Sequence, residues 1–223
     1  MTVPASLGKY EVLREIDRGS MGIVYLGHDP YTDRPVAIKV GLAESLNDPD
    51  TGARYRKMFF NEAHTAGKLA HPNIVSIYDA GVDEDNCYIV MEFVEGAGNL
   101  KRHTREGSLL PVDKVIEIAF KCAKALDYAH GQGVTHRDIK PSNILLTKDM
   151  DVKMCDFSIA HLNEPDLTQT QPVGIMGSPR YMSPEQLSNR SLDGRSDLYA
   201  LGQILAELIT GEVPRGGKSY AEI

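Results

Sequence analysis

Residues 136–143 read His136-Arg137-Asp138-Ile139-Lys140-Pro141-Ser142-Asn143, and the pair Asp156-Phe157 follows thirteen residues later. Oxygen ligands such as those of Asn143 and Asp156 suit Mg²⁺, which binds one or two carboxylates together with substrate phosphates. The remaining carboxylate and lysine of the stretch suit a hydroxyl nucleophile and a migrating phosphoryl group. Between the two ligands, apolar and partly β-branched runs at 144–147 and 152–155 flank a polar turn at 148–151. This pattern predicts a hairpin that returns both ligands to one place.

The composition is that of an ordinary globular protein, with 223 residues of which 42% are hydrophobic and 25% charged. A net charge of -7 without a Lys/Arg run argues against nucleic acid as a partner and against membrane contact within this chain. The cysteines are odd in number, widely separated and without metal-site spacing, which fits a reducing compartment: Cys87, Cys122 and Cys155. The first residues lack the features of a signal peptide, and no run of about 20 apolar residues exists, so we expect a cytoplasmic location.

The first ninety residues are rich in short strand-like runs. They lie at 10–16, 23–26, 36–40, 74–78 and 88–93, and Gly, Asp and Pro punctuate them. One helix is predicted at 53–69, with an apolar stripe of Met58, Phe59, Ala63, Ala66 and Ala70. Glu62 falls on the same stripe. Because burying a lone carboxylate is costly, we expect a cationic partner for it.

The pattern changes to helical after residues 95–98, a stretch with two glycines that we interpret as a hinge. A helix at 113–130 is predicted to bury Val115, Ile116, Ala119, Cys122, Ala123, Leu126 and Ala129. A second helix at 197–210 is predicted with Leu198, Leu201, Leu205, Leu208 and Ile209 as its apolar residues. The sequence therefore predicts a strand-rich part followed by a helical part.

These motifs resemble those of the eukaryotic-type serine/threonine protein kinases, most closely the bacterial branch. The matching motifs are His-Arg-Asp with Asn143, Asp156-Phe157, Val36-Ala37-Ile38-Lys39, and Ser183-Pro184-Glu185. The resemblance covers residues from about 10 to 215 and implies an α+β, two-lobe fold. Residues 1–94 would form a small β-rich N-lobe with one main helix that binds ATP. Residues 95–223 would form a larger helical C-lobe with the catalytic and activation segments, and we expect it to lack the last helices of the family.

The resemblance also implies which residues bind the nucleotide. The family's glycine-rich loop is matched at Gly19, Gly22 and Val24, whereas Asp17 replaces its first glycine, so we expect weaker affinity. Met91 would be the gatekeeper. Backbone groups of Glu92 and Val94 would hydrogen-bond the adenine edge. The implied contacts to ATP come from Ile16, Gly19, Ser20, Gly22, Val24, Ala37, Lys39, Met91, Glu92, Val94 and Leu145. The alternative for the apolar residues among them is a role in the core alone.

A further set of residues would carry out the transfer of phosphate. Lys39 would contact the α- and β-phosphates and pair with Glu62. Asp138 would be the base for the attacking hydroxyl, and Lys140 would stabilise the γ-phosphoryl group. Asn143 and Asp156 would hold Mg²⁺, with Mn²⁺ as an alternative. The implied reaction moves the γ-phosphate of Mg·ATP to a serine or threonine hydroxyl of a protein substrate.

Regulatory residues follow from the same resemblance. The activation segment would run from residue 156 to 185. Arg137 would bind this segment once it is phosphorylated, since guanidinium binds phosphate with paired hydrogen bonds. We expect phosphorylation at Thr168 or Thr170 to order that segment, and a kinase–kinase dimer would allow autophosphorylation. Ser178 would contact Asp138 and Lys140.

Two departures from the family pattern keep alternatives open. Ser158 replaces the last glycine of the Asp-Phe-Gly motif, and Asp17 replaces a loop glycine. Together with the end of the chain at 223, they favour a pseudokinase, a nucleotide-binding interaction or regulatory module with little catalysis. The intact lysine, carboxylates and asparagine named above oppose it. A small-molecule phosphotransferase of related fold is a third interpretation, against which the activation segment and the Ser183-Pro184-Glu185 ending argue.

Overall fold

The computed structural model describes residues 4–19, 22–41, 48, 52–84, 86–157, 179–188 and 190–214, without the side chains of residues 54 and 58. The chain divides into two compact units. The first consists of Met1–Ala70 and Val75–Val94, and the second of His71–Ile74 and Glu95–Ile223.

A six-stranded antiparallel sheet forms most of the first unit. Its strands are β1 (Ser6–Leu7), β2 (Tyr10–Gly19), β3 (Gly22–Asp29), β4 (Arg34–Val40), β5 (Ile77–Asp83) and β6 (Asn86–Glu92). Their order in the sheet is β1-β2-β3-β4-β6-β5. Because side chains alternate along a strand, one face of the sheet collects the apolar core. That core contains Leu7, Tyr10, Ile23, Tyr25, Val36, Ile38, Val40, Tyr88 and Val90.

Helix α1 (Gly52–Ala66) packs beside β5 and β6. Phe59, Glu62, Ala63 and Ala66 are buried, as the stripe predicts. The helix ends earlier than predicted, and Ala70 lies beyond it and is exposed. Residues 67–69 instead form a turn in which the N–H of Gly67 still bonds to the Ala63 carbonyl, because glycine is a poor helix former.

The described residues of the second unit form three helices and a small sheet. The strands β7 (Gly98–Asn99), β8 (Ile144–Leu146) and β9 (Val152–Met154) lie in that order, and two 3₁₀ turns occupy Leu100–His103 and Pro141–Asn143. Helix α2 (Val112–Gly131) packs on α4 (Gly194–Thr210), and α3 (Pro184–Leu187) is a single turn. Sheet and helices together confirm the α+β class. Across the described ranges, no helix combines the length and the apolar character needed to cross a membrane.

The predicted apolar faces of α2 and α4 are partly wrong. Ile116, Leu198 and Ile209 are each more than half exposed, whereas Ile118 and Ile204 are buried. The N-terminal half of α2 and most of α4 carry apolar residues on several sides, so spacing alone does not determine which side is buried. The packing of α2 against α4 determines it.

One predicted strand is displaced along the chain. Residues 74–78 were expected to form it, but β5 begins at Ile77, and Ile74 makes an isolated bridge to Met154 inside the second unit. The missed part of β5 contains Asp79, Gly81 and Asp83, which are residue types that strands disfavour. Its position at the edge of the sheet tolerates them, because only one side of an edge strand is paired.

Candidate active site

A buried ion pair lies in the first unit. Lys39 Nζ of β4 is 2.7 Å from Glu62 Oε1 of α1, and each residue is only 5% exposed. The structure thus brings together the two residues that the sequence analysis paired. Two charges buried to this extent require each other, since either one alone would lose its hydration without compensation.

The hairpin between β2 and β3 carries the two glycines of the predicted phosphate loop. Gly19 and Gly22 face each other at its end, and Ser20 lies outside the described residues. Gly22 has φ +151°, and a Cβ there would collide with the Val40 carbonyl oxygen. A Cβ on Gly19 would meet no described atom within 4 Å. The packing of the protein therefore explains glycine at 22 but not at 19.

The predicted adenine residues of the sheet share one face. Val24 pairs with Lys39, and Ala37 pairs with Met91, so these four side chains point to the side opposite the apolar core. Ile16 is half-buried at an irregularity of β2. The register thus assembles the set without showing that it binds a nucleotide.

Glu92 and Val94 carry the backbone groups predicted to bind the adenine edge. The N–H of Glu92 donates to the Ser76 carbonyl at 2.8 Å, and the N–H of Ser76 donates to the Glu92 carboxylate at 3.2 Å. An adenine edge would therefore use the carbonyl of Glu92 and not its N–H. Val94 ends the first unit and Leu145 belongs to the second, so the contact of Leu145 with ATP stays a prediction.

Three side chains converge in residues 136–143 of the second unit, the proposed catalytic loop. Lys140 Nζ is 2.5 Å from Asp138 Oδ2. Asn143 Nδ2 donates to the Asp138 carbonyl at 3.0 Å and approaches Asp138 Oδ2 at 3.4 Å. A carboxylate, an ammonium and an amide thus occupy one small region.

The predicted hairpin is confirmed and places Asn143 opposite Cys155, the residue before Asp156. Ile144 pairs with Met154, and the N–H of Cys155 donates to the Asn143 carbonyl at 3.0 Å, which extends the ladder. Asp156 follows with φ +59°, a left-handed conformation that is unusual for a residue with a side chain. Such conformations persist where the surrounding structure holds them in place.

His136, to which the sequence analysis assigned no role, helps to hold Asp156. Its Nε2 lies 3.0 Å from the Cys155 carbonyl, and its ring packs on Phe157 with 4.5 Å between centroids. His136 is fully buried. The residues on both sides of Asp156 are therefore fixed by the loop that carries Asp138.

The donor set fits a hard divalent cation that completes its coordination with substrate oxygens. Asn143 directs its NH₂ group to Asp138, and its amide oxygen accepts, among the described groups, only a long bond of 3.4 Å from Ser142 Oγ, so it keeps a lone pair for a metal ion. Within the described ranges, no group of three or more His, Cys, Asp or Glu side chains could hold a metal ion alone. Mg²⁺ commonly binds with one or two protein ligands plus phosphates, so Asn143 and Asp156 would suffice for it.

Asp197 organises the backbone of the same loop. Its Oδ1 accepts from the N–H of Arg137, and its Oδ2 accepts from the N–H of His136, each at 2.8 Å. His130 Nε2 lies 2.8 Å from Oδ2 as well. Asp197 could not be assigned from sequence because its contacts to the loop are with backbone groups sixty residues away. A carboxylate opening an apolar helix was the available signal.

Arg137, the predicted phosphate receptor, has φ +67° and is partly buried. Burial lowers the pKa of its guanidinium, and the nearby Asp197 partly offsets that effect. The predicted regulatory residues Thr168, Thr170 and Ser178, together with Ser158, lie outside the described residues.

Residues 179–188 attach to α4 and the catalytic loop through three side chains, of which only Glu185 belongs to a motif noted in the sequence. Gln186 Nε2 donates to the Arg137 carbonyl at 2.7 Å. Glu185 accepts from Ser196 Oγ at 2.6 Å, which lowers the pKa of Glu185. Tyr181 donates to Glu207 at 2.7 Å, and burial followed by this bond raises the pKa of Tyr181.

Known proteins resemble this chain over nearly its whole length. The probable serine/threonine-protein kinase PknB of Lactococcus lactis is 43% identical over 217 residues, covering 96% of this chain and 34% of that protein. The serine/threonine-protein kinase PrkC of Bacillus subtilis is 42% identical over 217 residues, covering 97% and 32%. The chain thus spans about a third of the length of the curated relatives it matches.

A solved structure agrees. The PknI kinase domain of Mycobacterium tuberculosis matches with a TM-score of 0.75 and 31% identity, covering 96% of this chain and 79% of that one. The match confirms the predicted protein kinase fold. Residues 10–222 also match the family described as the protein kinase domain. With its motifs, fold and relatives in agreement, this chain belongs to the protein kinase family, and its curated relatives are bacterial serine/threonine kinases.

Proposed function

We propose that this chain is an ATP-dependent serine/threonine protein kinase. Residues 1–94 bind ATP, and residues 95–223 supply the catalytic and activation segments. The observation that carries the proposal is the cluster in which Lys140 Nζ lies 2.5 Å from Asp138 Oδ2 and Asn143 donates to the Asp138 carbonyl. A surface loop with no chemical role has no need to concentrate these groups.

In the proposed mechanism, the acceptor hydroxyl is oriented by Asp138, which takes its proton as the oxygen attacks the γ-phosphorus. The bond from the γ-phosphorus to the bridging oxygen of the β-phosphate breaks, and ADP leaves. Lys140 stabilises the negative charge of the phosphoryl group during its transfer. Lys39, held by Glu62, binds the α- and β-phosphates. Asn143 and Asp156 would hold a divalent ion, proposed as Mg²⁺ with Mn²⁺ as the alternative, which would neutralise charge on the phosphates. Because the transition state of phosphoryl transfer is loose, positioning and charge account for most of the catalysis.

The nucleotide contacts belong to the same proposal. The glycine hairpin covers the phosphates with Gly19, Ser20 and Gly22. The adenine ring lies against apolar side chains, with Met91 as gatekeeper, and its edge binds backbone groups at the end of β6. The remaining contacts are proposed for Ile16, Val24, Ala37, Glu92, Val94 and Leu145.

Substrate, regulation and location are also proposals. The substrate is a protein with a serine or threonine hydroxyl. Phosphorylation at Thr168 or Thr170, within a kinase–kinase dimer, orders the activation segment through Arg137, and Ser178 contacts the catalytic loop. The cysteines are odd in number and widely separated, which supports a reducing, cytoplasmic environment: Cys87, Cys122 and Cys155.

The test is transfer of radiolabelled phosphate from Mg·ATP to the purified chain and to a generic basic protein. We expect Asp138→Asn to lower the rate at least about 100-fold, since an amide cannot accept the proton. Lys39→Met should also abolish transfer. The matched controls Asp127→Asn and Lys101→Met, at exposed positions, should leave the rate unchanged.

Equal labelling by the wild type and both site variants would indicate a contaminating kinase and defeat the proposal. Tight binding of Mg·ATP without any transfer would instead select the pseudokinase.

A further inference from the structure

The geometry points to Gln186 as a positioning residue for the catalytic loop, an inference that rests on the proposed kinase function. Gln186 lies in α3, outside the loop, and touches no reacting group in the mechanism above. Its amide nevertheless bonds to the residue directly before the proposed base.

The side-chain amide of Gln186 is fixed at both ends. Its Oε1 accepts from the N–H of Ser183 at 2.9 Å, and its own backbone N–H donates to Ser183 Oγ at 3.3 Å. These two bonds form the capping box of α3. With the oxygen committed to the cap, the NH₂ group points to the Arg137 carbonyl and donates to it at 2.7 Å.

The peptide that joins Arg137 to Asp138 depends on this contact. At its N–H end, Asp138 donates to His136 Nδ1 over a long distance of 3.4 Å. At its carbonyl end, the bond from Gln186 is far shorter. Rotation of this peptide would change the direction of the Asp138 side chain. Gln186 therefore restrains the plane that aims the base.

The conformation of Arg137 adds to the need for restraint. Its φ of +67° is unfavourable for a residue with a Cβ. The N–H of Arg137 is held by Asp197 and its carbonyl by Gln186, so the strained residue is held on both sides. Both segments also line one small cavity of about 10 Å³. A shift of α3 reaches the loop through the direct bond from Gln186 to the Arg137 carbonyl.

A single substitution separates the two ends of the amide. Gln186→Glu keeps an oxygen for the N–H of Ser183, because glutamate serves the capping box as well as glutamine. It places a second oxygen against the Arg137 carbonyl, where two acceptors repel. Ser183→Ala removes the side-chain half of the cap but leaves the amide to reach Arg137. The charge-matched control is Gln132→Glu, at an exposed position.

The experiment measures kcat, KM for ATP, thermal unfolding and hydrogen exchange for these variants and the wild type. For Gln186→Glu we expect kcat to fall about tenfold, because the repelled Arg137 carbonyl turns the peptide that aims Asp138. The unfolding temperature should fall as well, since a buried acceptor left without its donor lowers stability, whereas KM for ATP should change little. Exchange of the peptide spanning residues 134–140 should quicken. Ser183→Ala should lower the unfolding temperature with a smaller effect on kcat, and Gln132→Glu should match the wild type.

Unchanged kcat and unchanged loop exchange in Gln186→Glu would overturn the inference while leaving the kinase proposal intact. A fall in unfolding temperature with full activity of the folded protein would assign Gln186 a purely structural role and also overturn it. If the wild type transfers no phosphate, the proposed function fails by itself. Hydrogen exchange then still decides whether Gln186 holds the loop.

Discussion

The ion pair between Lys39 and Glu62 yields a prediction that can be worked from burial alone. Both residues are 5% exposed and their charged atoms are 2.7 Å apart. Removing one partner leaves the other charge in a site that water barely reaches. Such single losses typically cost about 3–5 kcal/mol, whereas replacing both partners with neutral groups costs far less.

We therefore expect Lys39→Met and Glu62→Gln each to lower the unfolding free energy by about 3 kcal/mol or more. The double variant should be more stable than the sum predicts, by about 2 kcal/mol, within the range measured for directly contacting residues. The reason is that removal of the second charge relieves the cost created by removal of the first.

Urea unfolding followed by circular dichroism would measure these values. Hydrogen exchange of peptides from β4 would report on the first unit by itself, since two compact units need not unfold together. Additive losses, within about 0.5 kcal/mol, would refute the reasoning, because independent sites add and coupled ones do not. The exposed pair Lys114 and Glu117 provides a control cycle, in which we expect coupling below about 1 kcal/mol.

Two further predictions follow from the glycine hairpin and from α4. Gly22→Ala should lower the unfolding free energy by about 2 kcal/mol or more, because of its φ and the Val40 carbonyl. Gly19→Ala should leave thermal unfolding unchanged but raise KM for ATP several-fold; equal thermal losses in both would contradict this assignment. Tyr181→Phe should cost about 1–3 kcal/mol at pH 7, because the buried carboxylate of Glu207 loses a donor. The pKa of Tyr181 is raised, so its contribution to stability holds below the ordinary pKa of about 10 and is lost as pH rises above it. Unfolding measured at pH 7 and 11 should therefore show a smaller alkaline loss in the variant than in the wild type.

The parts of the molecule predictable from sequence were those decided by neighbours along the chain. The hairpin after Asn143 was predictable because its two apolar runs and polar turn are contiguous. The partner of Glu62 was predictable for another reason, since a carboxylate on an apolar stripe requires a cation and the resemblance offered Lys39. In both cases the signal, a run–turn–run pattern or a carboxylate on an apolar stripe, lies within one short stretch of sequence.

The remaining features depend on contacts between distant segments. Asp197 binds backbone N–H groups, which every residue except proline possesses. No residue type in the catalytic loop therefore indicated the contact. Gln186 likewise binds a carbonyl. The exposed positions of Ile116 and Leu198 were missed because their helices are apolar on several sides. Backbone recognition and the choice among apolar faces leave no local signature.

The hairpin of β8 and β9 has a consequence for engineering. Its proposed ligands lie at the open end, whereas the connecting turn at Lys148 and Asp149 is exposed. The bonds between Thr147 and Asp151 close the ladder before that turn is reached. Extra residues grafted between positions 148 and 149 would extend into solvent without lengthening either strand. The turn therefore offers an attachment point for a fluorophore or an affinity tag close to the chemistry but mechanically separate from it.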